Sequence, residues 1–480
     1  MPENNVLTVG SLAPVATDDP AEVRDTISSL YVNQIYEPLM AATAKVGEPP
    51  LPLLLARPLE FERPTRCSAV VREGIVFSDG TPLTAELVVA SLARVGDFRQ
   101  RATASVRGDR VVFDLKEPNP AFGLFLTTNF CGIALEKGGR LFGTGAYRGS
   151  VLEKGASILR LQRNPSYREK VPIDEVHFVV HPADADGTAT KLMNAVRAGE
   201  VDFTDSIPAM TAVSMQKEGL PIVAWTTPGN STGILYFNTE RPSLRDARVR
   251  KAIAYAIDRH EISRHSFTNF MTFTARDLLP PMMQQGASEA EVIRHDMAQA
   301  EKMLLWPDLE RPSRLTLLLP WSPRPYMPHP NHAAETITRY VAKLGIAVET
   351  VFTASTTEFY DRVDRGDFDL LLLGWIADTP DPADFLESLL SSENIPRRGE
   401  TSSSSSNRSR WRNAEMDRLL KEFRATPTAD VRSNISKLLA SEMPLFPLIY
   451  GAAVTVLSRR VRNFRPSSLG RVSFGKLAIK

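Results

Sequence analysis

The chain has 480 residues, with 57 lysines and arginines against 56 aspartates and glutamates, a formal net charge of +1 at pH 7. That length exceeds what one hydrophobic core sustains, so two or three domains are expected. Hydrophobic content of 43% and charged content of 24% are those of an ordinary globular protein, and the charge balance argues against a nucleic-acid surface or a membrane-coating face.

No apolar run approaches the length of a transmembrane helix. Residues 1–5 are polar and the apolar run 6–9 is too short for the core of a secretory leader. The expected location is therefore periplasmic or extracytoplasmic if a leader has been removed, and cytoplasmic if Met1 is the native start. Two cysteines, Cys67 and Cys131, leave the redox compartment and their pairing open.

In chain order, residues 6–10 read as a strand and residues 21–40 as a helix. A further strand ends in the Asp79-Gly80 turn, and Thr84 then caps a helix with Leu87, Val88 and Leu92 on one face. Residues 110–116 alternate as a strand, and Gly143-Thr144-Gly145-Ala146-Tyr147 is a tight turn into another. Strands at 158–162 and 176–181, a helix at 189–198 and an edge beginning at Asp202-Phe203 follow. Residues 229–233 read as a linker before a strand at 234–237. Residues 246–262 read as one helix with its stripe at Val249, Ile253, Ala256 and Ile257. Next come a helix through Leu304, a strand at 315–319, a helix at 333–344 stopped by Gly345, and a strand at 348–352. Residues 367–373 form a short apolar run with the length of a buried strand. Residues 393–410, with serines at 402–406, read as a flexible surface insertion, and residues 414–424 as a helix. The final apolar run, 445–457, contains Pro447 and Gly451, which exclude one continuous helix. Strand and helix alternate throughout, which is an α/β pattern.

Few motifs carry chemistry. Gly229-Asn230-Ser231-Thr232-Gly233 fits the nucleophile-elbow spacing, but that motif needs a helix after the turn and a strand-like run follows. Gly143 and Gly145 do not complete a dinucleotide fingerprint, because Arg148 stands where the third glycine belongs. His177 and His181 lie about 13 Å apart along a strand, too far to share a metal. His329 and His332 share a Pro-rich loop, where a common ion and a solvated loop are both open readings. Asp378 and Asp381 have the residue types of a glycosidase pair, with nothing around them to support that chemistry.

Two loops stand out. The run 367–373 ends in Gly374-Trp375-Ile376-Ala377-Asp378-Thr379-Pro380-Asp381-Pro382. A carboxylate at the carboxyl end of a buried strand is placed to meet a cationic ligand, with Trp375 as its apolar wall. A solvated turn with Asp378 capping the next helix fits the local sequence equally. Past the strand 315–319 stands Arg324-Pro325-Tyr326, between Pro323 and Pro328, and a loop stiffened this way can hold a guanidinium for bidentate contact with a carboxylate. One loop offers a cation and the other an anion.

With these segments in view the chain resembles the extracytoplasmic solute-binding proteins of peptide ABC importers, the dipeptide/oligopeptide/nickel-binding family. The resemblance runs over nearly the whole length. It is carried by Tyr36-Glu37-Pro38-Leu39, by residues 72–86 and by Gly143-Thr144-Gly145-Ala146-Tyr147. Further on it is carried by Phe237-Asn238-Thr239, residues 246–259, Leu279-Pro280-Pro281, and Gly374-Trp375 with Asp378 and Asp381-Pro382. The resemblance implies a two-lobed α/β periplasmic-binding-protein-like fold with an additional small α/β domain. Domain I would take residues 1–36, 143–229 and 450–480, domain II residues 37–142, and domain III residues 230–449, with the ligand taken between domains I and III. It implies a binding protein and not an enzyme, a short peptide as ligand, permease subunits as partners, a monomer, and no cofactor or metal. Asp378 would hold the peptide amine and Arg324 with Tyr326 its carboxylate, as in dipeptide binders, with Trp375 and Asp381 completing the set. A cytoplasmic ligand sensor on the same fold, or a binder of a nickel complex, haem or sugar, are the alternatives. Relative to the family pattern, domain II is short after Val95.

Overall fold

The structure, a computed structural model, describes residues 5–23, 25–43, 48–149, 152–153, 155–184, 188–267, 274–284, 293–320, 324–353, 356–377, 379–397, 406–465 and 472–480. The chain forms two compact units, Met1–Thr227 with Ala453–Lys480, and Pro228–Ala452. The strands Ile222–Phe237 and Leu445–Ser458 each run from one unit into the other.

In the first unit the strand Val6–Ser11 lies parallel to Glu175–Val180 along its whole length and touches Phe203–Thr204 on its other side. Ile158–Arg163 and Tyr147–Gly149 extend this sheet antiparallel. The same unit holds a separate antiparallel sheet in the order Glu60–Arg63, Arg66–Val70, Arg110–Leu115, Ala102–Arg107. That sheet has its own core, in which Phe77, Val88, Leu92, Phe98, Phe113 and Phe122 are buried. The helix against it, Ala85–Arg94, begins where Thr84 accepts the Leu87 N–H, as its sequence indicates. Gly80 has φ +88°, the left-handed conformation that the Asp79-Gly80 turn requires. Cys67 and Cys131 are both buried as thiols.

Two of the segments that carry the resemblance form a packing device. Glu37 accepts a bidentate pair of bonds from Arg168, both at 2.7 Å, and one from Thr144 Oγ1 at 2.9 Å. A Cβ at Gly143 would stand 2.0 Å from the Ile35 carbonyl oxygen, and one at Gly145 2.6 Å from that of Gln34. Only glycine lets the two chain segments meet this closely.

The second unit is built on Ile222–Phe237, Leu370–Ile376, Arg314–Leu318 and Ala347–Val351, hydrogen-bonded in that order. Leu370–Ile376 runs antiparallel to Ile222–Phe237 and parallel to Arg314–Leu318, while Arg314–Leu318 and Ala347–Val351 are parallel. Residues 370–374 are all buried, so this strand is covered on both faces, which explains an uninterrupted apolar run in place of alternation. Gly345 ends the helix Pro330–Ala342 region at φ +75°.

Several expectations change. The helix expected over 21–40 is shorter, Thr26–Ile35, because Asp25 caps it and Pro38 forces extended chain beyond. The helix expected over 246–262 is two, Ala247–Ala256 and Arg259–Phe267, with Asp258 accepting the His260 N–H at the second start. Residues 229–233 are not a linker: they lie inside the strand Ile222–Phe237, with Ser231 and Thr232 buried, which rules out a nucleophile elbow. The run 445–457 is one long strand, Leu445–Ser458, and not a helix, as Pro447 and Gly451 indicate. Residues 398–405 lie outside the described residues, but residues 406–410 are buried and not a surface loop. Asn407 donates there to the carbonyls of Ser391 and Trp411, and Arg410 pairs with Glu240 at 2.8 Å.

Candidate functional site

Arg324 and Met327 close a tight turn on each other, Arg324 N–H to the Met327 carbonyl at 3.1 Å and Met327 N–H to the Arg324 carbonyl at 2.8 Å. The turn rests on a bed of three glycines. A Cβ at Gly374 would be 2.4 Å from Tyr326 Cδ2, and one at Gly233 2.4 Å from the Tyr326 carbonyl oxygen. One at Gly451 would meet Ser231 Oγ at 2.1 Å and the Pro325 carbonyl at 3.2 Å. Gly233 and Gly374 are opposite one another in the strand pairing. In the sequence Gly233 and Gly451 read as linker and breaker residues. Their signal was present, since a glycine inside a strand marks a close backbone approach.

Tyr326 is 5% exposed, and its ring belongs to the core of the second unit. Burial pushes its phenol far above its ordinary pKa, against the opposite pull of Arg324 and the Gly374 N–H. It thus supports the turn from beneath. Arg324 differs. Among the described residues its Nε is buried without a hydrogen-bond partner and no carboxylate pairs with its guanidinium. A desolvated donor on a cation is costly to leave unmatched, and a bound anion would satisfy it.

On the neighbouring strand, Trp375 is half-buried against the same core and Ile376 is 43% exposed. Trp375 pairs in register with Thr232 and Gly374 with Gly233, so the tryptophan follows directly on the glycine that seats Tyr326. Asp378 lies outside the described residues.

Asp381 is occupied internally. It caps the helix Pro382–Leu390, accepting the Ala383 N–H at 2.9 Å, and pairs with Arg424 Nη1 at 3.0 Å. The carboxylate is 4% exposed, and Arg424 also holds Asp384 at 2.7 Å and Glu387. Burial and the adjacent Asp384 push Asp381 up to about 7, although Arg424 pulls it down. With its oxygens taken up this way Asp381 belongs to the scaffold, which removes the glycosidase pairing with Asp378. It also makes Asp381, and not Asp378, the cap of the next helix.

Among the described residues no group of three or more His, Cys, Asp or Glu has metal-holding geometry. His332 packs against His265, ring centroids 4.0 Å apart and tilted by 35°. His329 and His332 line a cleft of about 540 Å³ at the carboxyl ends of the two parallel strands, with Pro320, Pro328, Phe352 and Thr353.

The fold recurs in solved solute-binding proteins. HbpA2 from Haemophilus parasuis superposes with a TM-score of 0.84 at 21% identity, covering 99% of this chain and 100% of that one. A dipeptide binding protein from pseudoalteromonas sp. SM9913, solved in complex with Met-Leu, gives 0.78 at 22% identity over 99% and 100%. The family model of bacterial extracellular solute-binding proteins, family 5, matches residues 62–397, and the chain belongs to that family. Its members are solute-binding proteins and not enzymes. Among sequence relatives, a probable di/tripeptide-binding protein 5 of Pseudomonas aeruginosa is 26% identical over 70% of this chain and 62% of its own length. A dipeptide-binding protein of the same species is 26% identical over 76% and 69%. Heme-binding protein A of Haemophilus influenzae is 24% identical over 71% and 60%.

Proposed function

We propose that this chain captures short peptides, dipeptides foremost, outside the cytoplasmic membrane and delivers them as a monomer to the permease of an ABC importer. The observation that carries the reading is Arg324, a guanidinium with a buried, unmatched Nε held on a three-glycine bed just past the strand Arg314–Leu318. Such a group is an anion receptor, and a peptide supplies its carboxylate. Asp378, four residues past Gly374 in the chain, takes the peptide amine, and Trp375 lines the ligand between the two charges. The names of the Pseudomonas relatives support peptides as the ligand class. The chain is read as three domains, 1–36 with 143–229 and 450–480, 37–142, and 230–449. The separate core of the four-stranded sheet supports the second of these.

Each residue of an extended peptide adds at most about 3.3–3.6 Å, so fixed positions for amine and carboxylate select one length. Titration calorimetry with alanine peptides of two to five residues, and with C-amidated Ala-Ala, tests this. Ala-Ala binds best, and amidation weakens it in the wild type but not in Arg324→Ala. Tight pentapeptide binding, or indifference to amidation, removes Arg324 from the site. A Soret shift on adding haemin, with no heat from any peptide, replaces the peptide by haem.

A further inference from the structure

The cleft of about 540 Å³ in the second unit lies where the parallel strands Arg314–Leu318 and Ala347–Val351 end and the helix Pro330–Ala342 begins. The Leu319 N–H donates to the Val351 carbonyl at 3.2 Å, so the two strand ends are tied together where Leu319, Phe352 and Thr353 line the cleft. Open α/β sheets take their ligands at this end of parallel strands.

Three donors come to the cleft without an acceptor among the described residues. The helix has no side-chain cap: His329 stands at its N-cap and makes no capping bond. Pro330, its first residue, has no N–H to satisfy. The next two amides, those of Asn331 and His332, are first-turn donors with no intrahelical acceptor, and both residues line the cleft. Thr353 lines it too, is 6% exposed, and its Oγ1 has no hydrogen-bond partner. A buried hydroxyl left unmatched is costly, and an acceptor in the cleft would satisfy it.

The walls beside these donors are apolar, formed by Pro320, Pro328 and Phe352. Such a lining suits a short apolar stem that ends in an anion, which a helix N-terminus attracts. At neutral pH the His332 imidazole adds little charge, because burial and the neighbouring His265 ring hold it below its ordinary pKa. Glu335 also lines the cleft and opposes an anion, but it is exposed, where salt and water screen it. The chain joins this cleft directly to the Arg324 turn, since Met327 closes that turn and Pro328 follows it.

We propose that the cleft is a carboxylate subsite, in which the Asn331 and His332 N–H groups and the Thr353 hydroxyl receive the side-chain carboxylate of an acidic residue whose terminal carboxylate lies on Arg324. The preferred ligands are then dipeptides ending in glutamate or aspartate. A peptide as the carrier rests on the peptide reading, whereas the carboxylate receptor does not.

The test is titration calorimetry at low salt with Ala-Glu, its neutral isostere Ala-Gln, the reversed pair Glu-Ala and Gln-Ala, Ala-Ala, and glutarate alone. Ala-Glu binds roughly tenfold more tightly than Ala-Gln, and Glu-Ala shows no such gain over Gln-Ala. Thr353→Val replaces an unmatched hydroxyl by a methyl group of the same shape, so it lowers Ala-Glu affinity roughly tenfold, leaves Ala-Ala unchanged and does not lower the melting temperature. Glu335→Gln, at an exposed position, keeps the test open should Thr353→Val not fold: it strengthens Ala-Glu about twofold and leaves Ala-Gln unchanged. Ala-Ala binding with equal affinities for Ala-Glu and Ala-Gln, or an Ala-Glu gain untouched by Thr353→Val, overturns the subsite and leaves the peptide reading standing. Glutarate binding that Thr353→Val abolishes, with no heat from any peptide, supports the receptor and overturns the peptide as its carrier. No heat from any of these compounds overturns both.

Discussion

The glycine bed under the Arg324 turn makes a sharp claim: adding one methyl group at Gly374 moves a guanidinium two residues away from its contact. A Cβ there would stand 2.4 Å from Tyr326 Cδ2, 2.7 Å from Tyr326 Cγ and 2.4 Å from the Thr232 carbonyl oxygen, against an ordinary contact of 3.4 Å or more. The shortfall is 3.4 minus 2.4, or 1.0 Å, on two sides at once. Thr232 is fixed by strand pairing with Trp375, and its hydroxyl is tied to the Leu278 carbonyl at 2.9 Å, so the tyrosine must give way. Tyr326 carries Arg324 with it, because the Arg324–Met327 turn is closed by two backbone bonds. Overpacking of this size costs about 1–3 kcal/mol, and at about 2–4 °C per kcal/mol for a unit of this size Gly374→Ala lowers the melting temperature by several degrees. Displacing the receptor also weakens Ala-Ala binding, which we expect to fall at least about tenfold beyond any loss of folded protein. Differential scanning fluorimetry and calorimetry on the same sample give both numbers. A Gly374→Ala protein that melts and binds like wild type refutes the bed, and with it the reason for a glycine at this point of the strand.

Three further outcomes follow from particular groups. Arg324→Ala weakens free dipeptides by about 2–5 kcal/mol, yet leaves the melting temperature of the unliganded protein unchanged or higher, since it removes a buried donor that no partner matches; a marked drop in stability would mean the guanidinium is already satisfied. Asp381 is held at about 7 when folded, above the ordinary carboxylate value of 3.8, so the folded state binds the extra proton and this group's contribution to stability is lost as pH rises from about 4 to 7. Asp381→Asn abolishes that part of the pH dependence in melting curves between pH 4 and 8, and identical slopes in both proteins would mean that Asp381 is not the titrating group. Arg250, 2% exposed, donates to the carbonyls of Leu244, Arg245, Glu442 and Met443, and Arg250→Met strands those acceptors, so it lowers the urea midpoint by the equivalent of several kcal/mol without altering the peptide-length preference of any folded protein.

The alternation of strand and helix can be read along the chain, because side-chain periodicity and capping residues act locally. Thr84 before Ala85–Arg94, Asp246 before Ala247–Ala256 and the all-apolar strand at 370–374 are legible without coordinates. The segments that carry the family resemblance were legible too, and so was Arg324 as a cation in a Pro-rich stretch. Tertiary structure decided what depends on atoms distant in the chain. Gly233, Gly374 and Gly451 look like breaks in a pattern, yet they are the positions where Tyr326, Ser231 and neighbouring backbone come too close for a Cβ. Asp381 looks like a ligand carboxylate beside Asp378, but Arg424, 43 positions later, turns it inward. Residues 406–410, polar enough to read as surface, are buried because Leu390, Ser391 and Trp411 present carbonyls to Asn407 and because Glu240 and Asp364 neutralise Arg410 and Arg408. A local pattern records what each residue prefers, whereas an ion pair or a missing Cβ is chosen by whatever the fold brings against it.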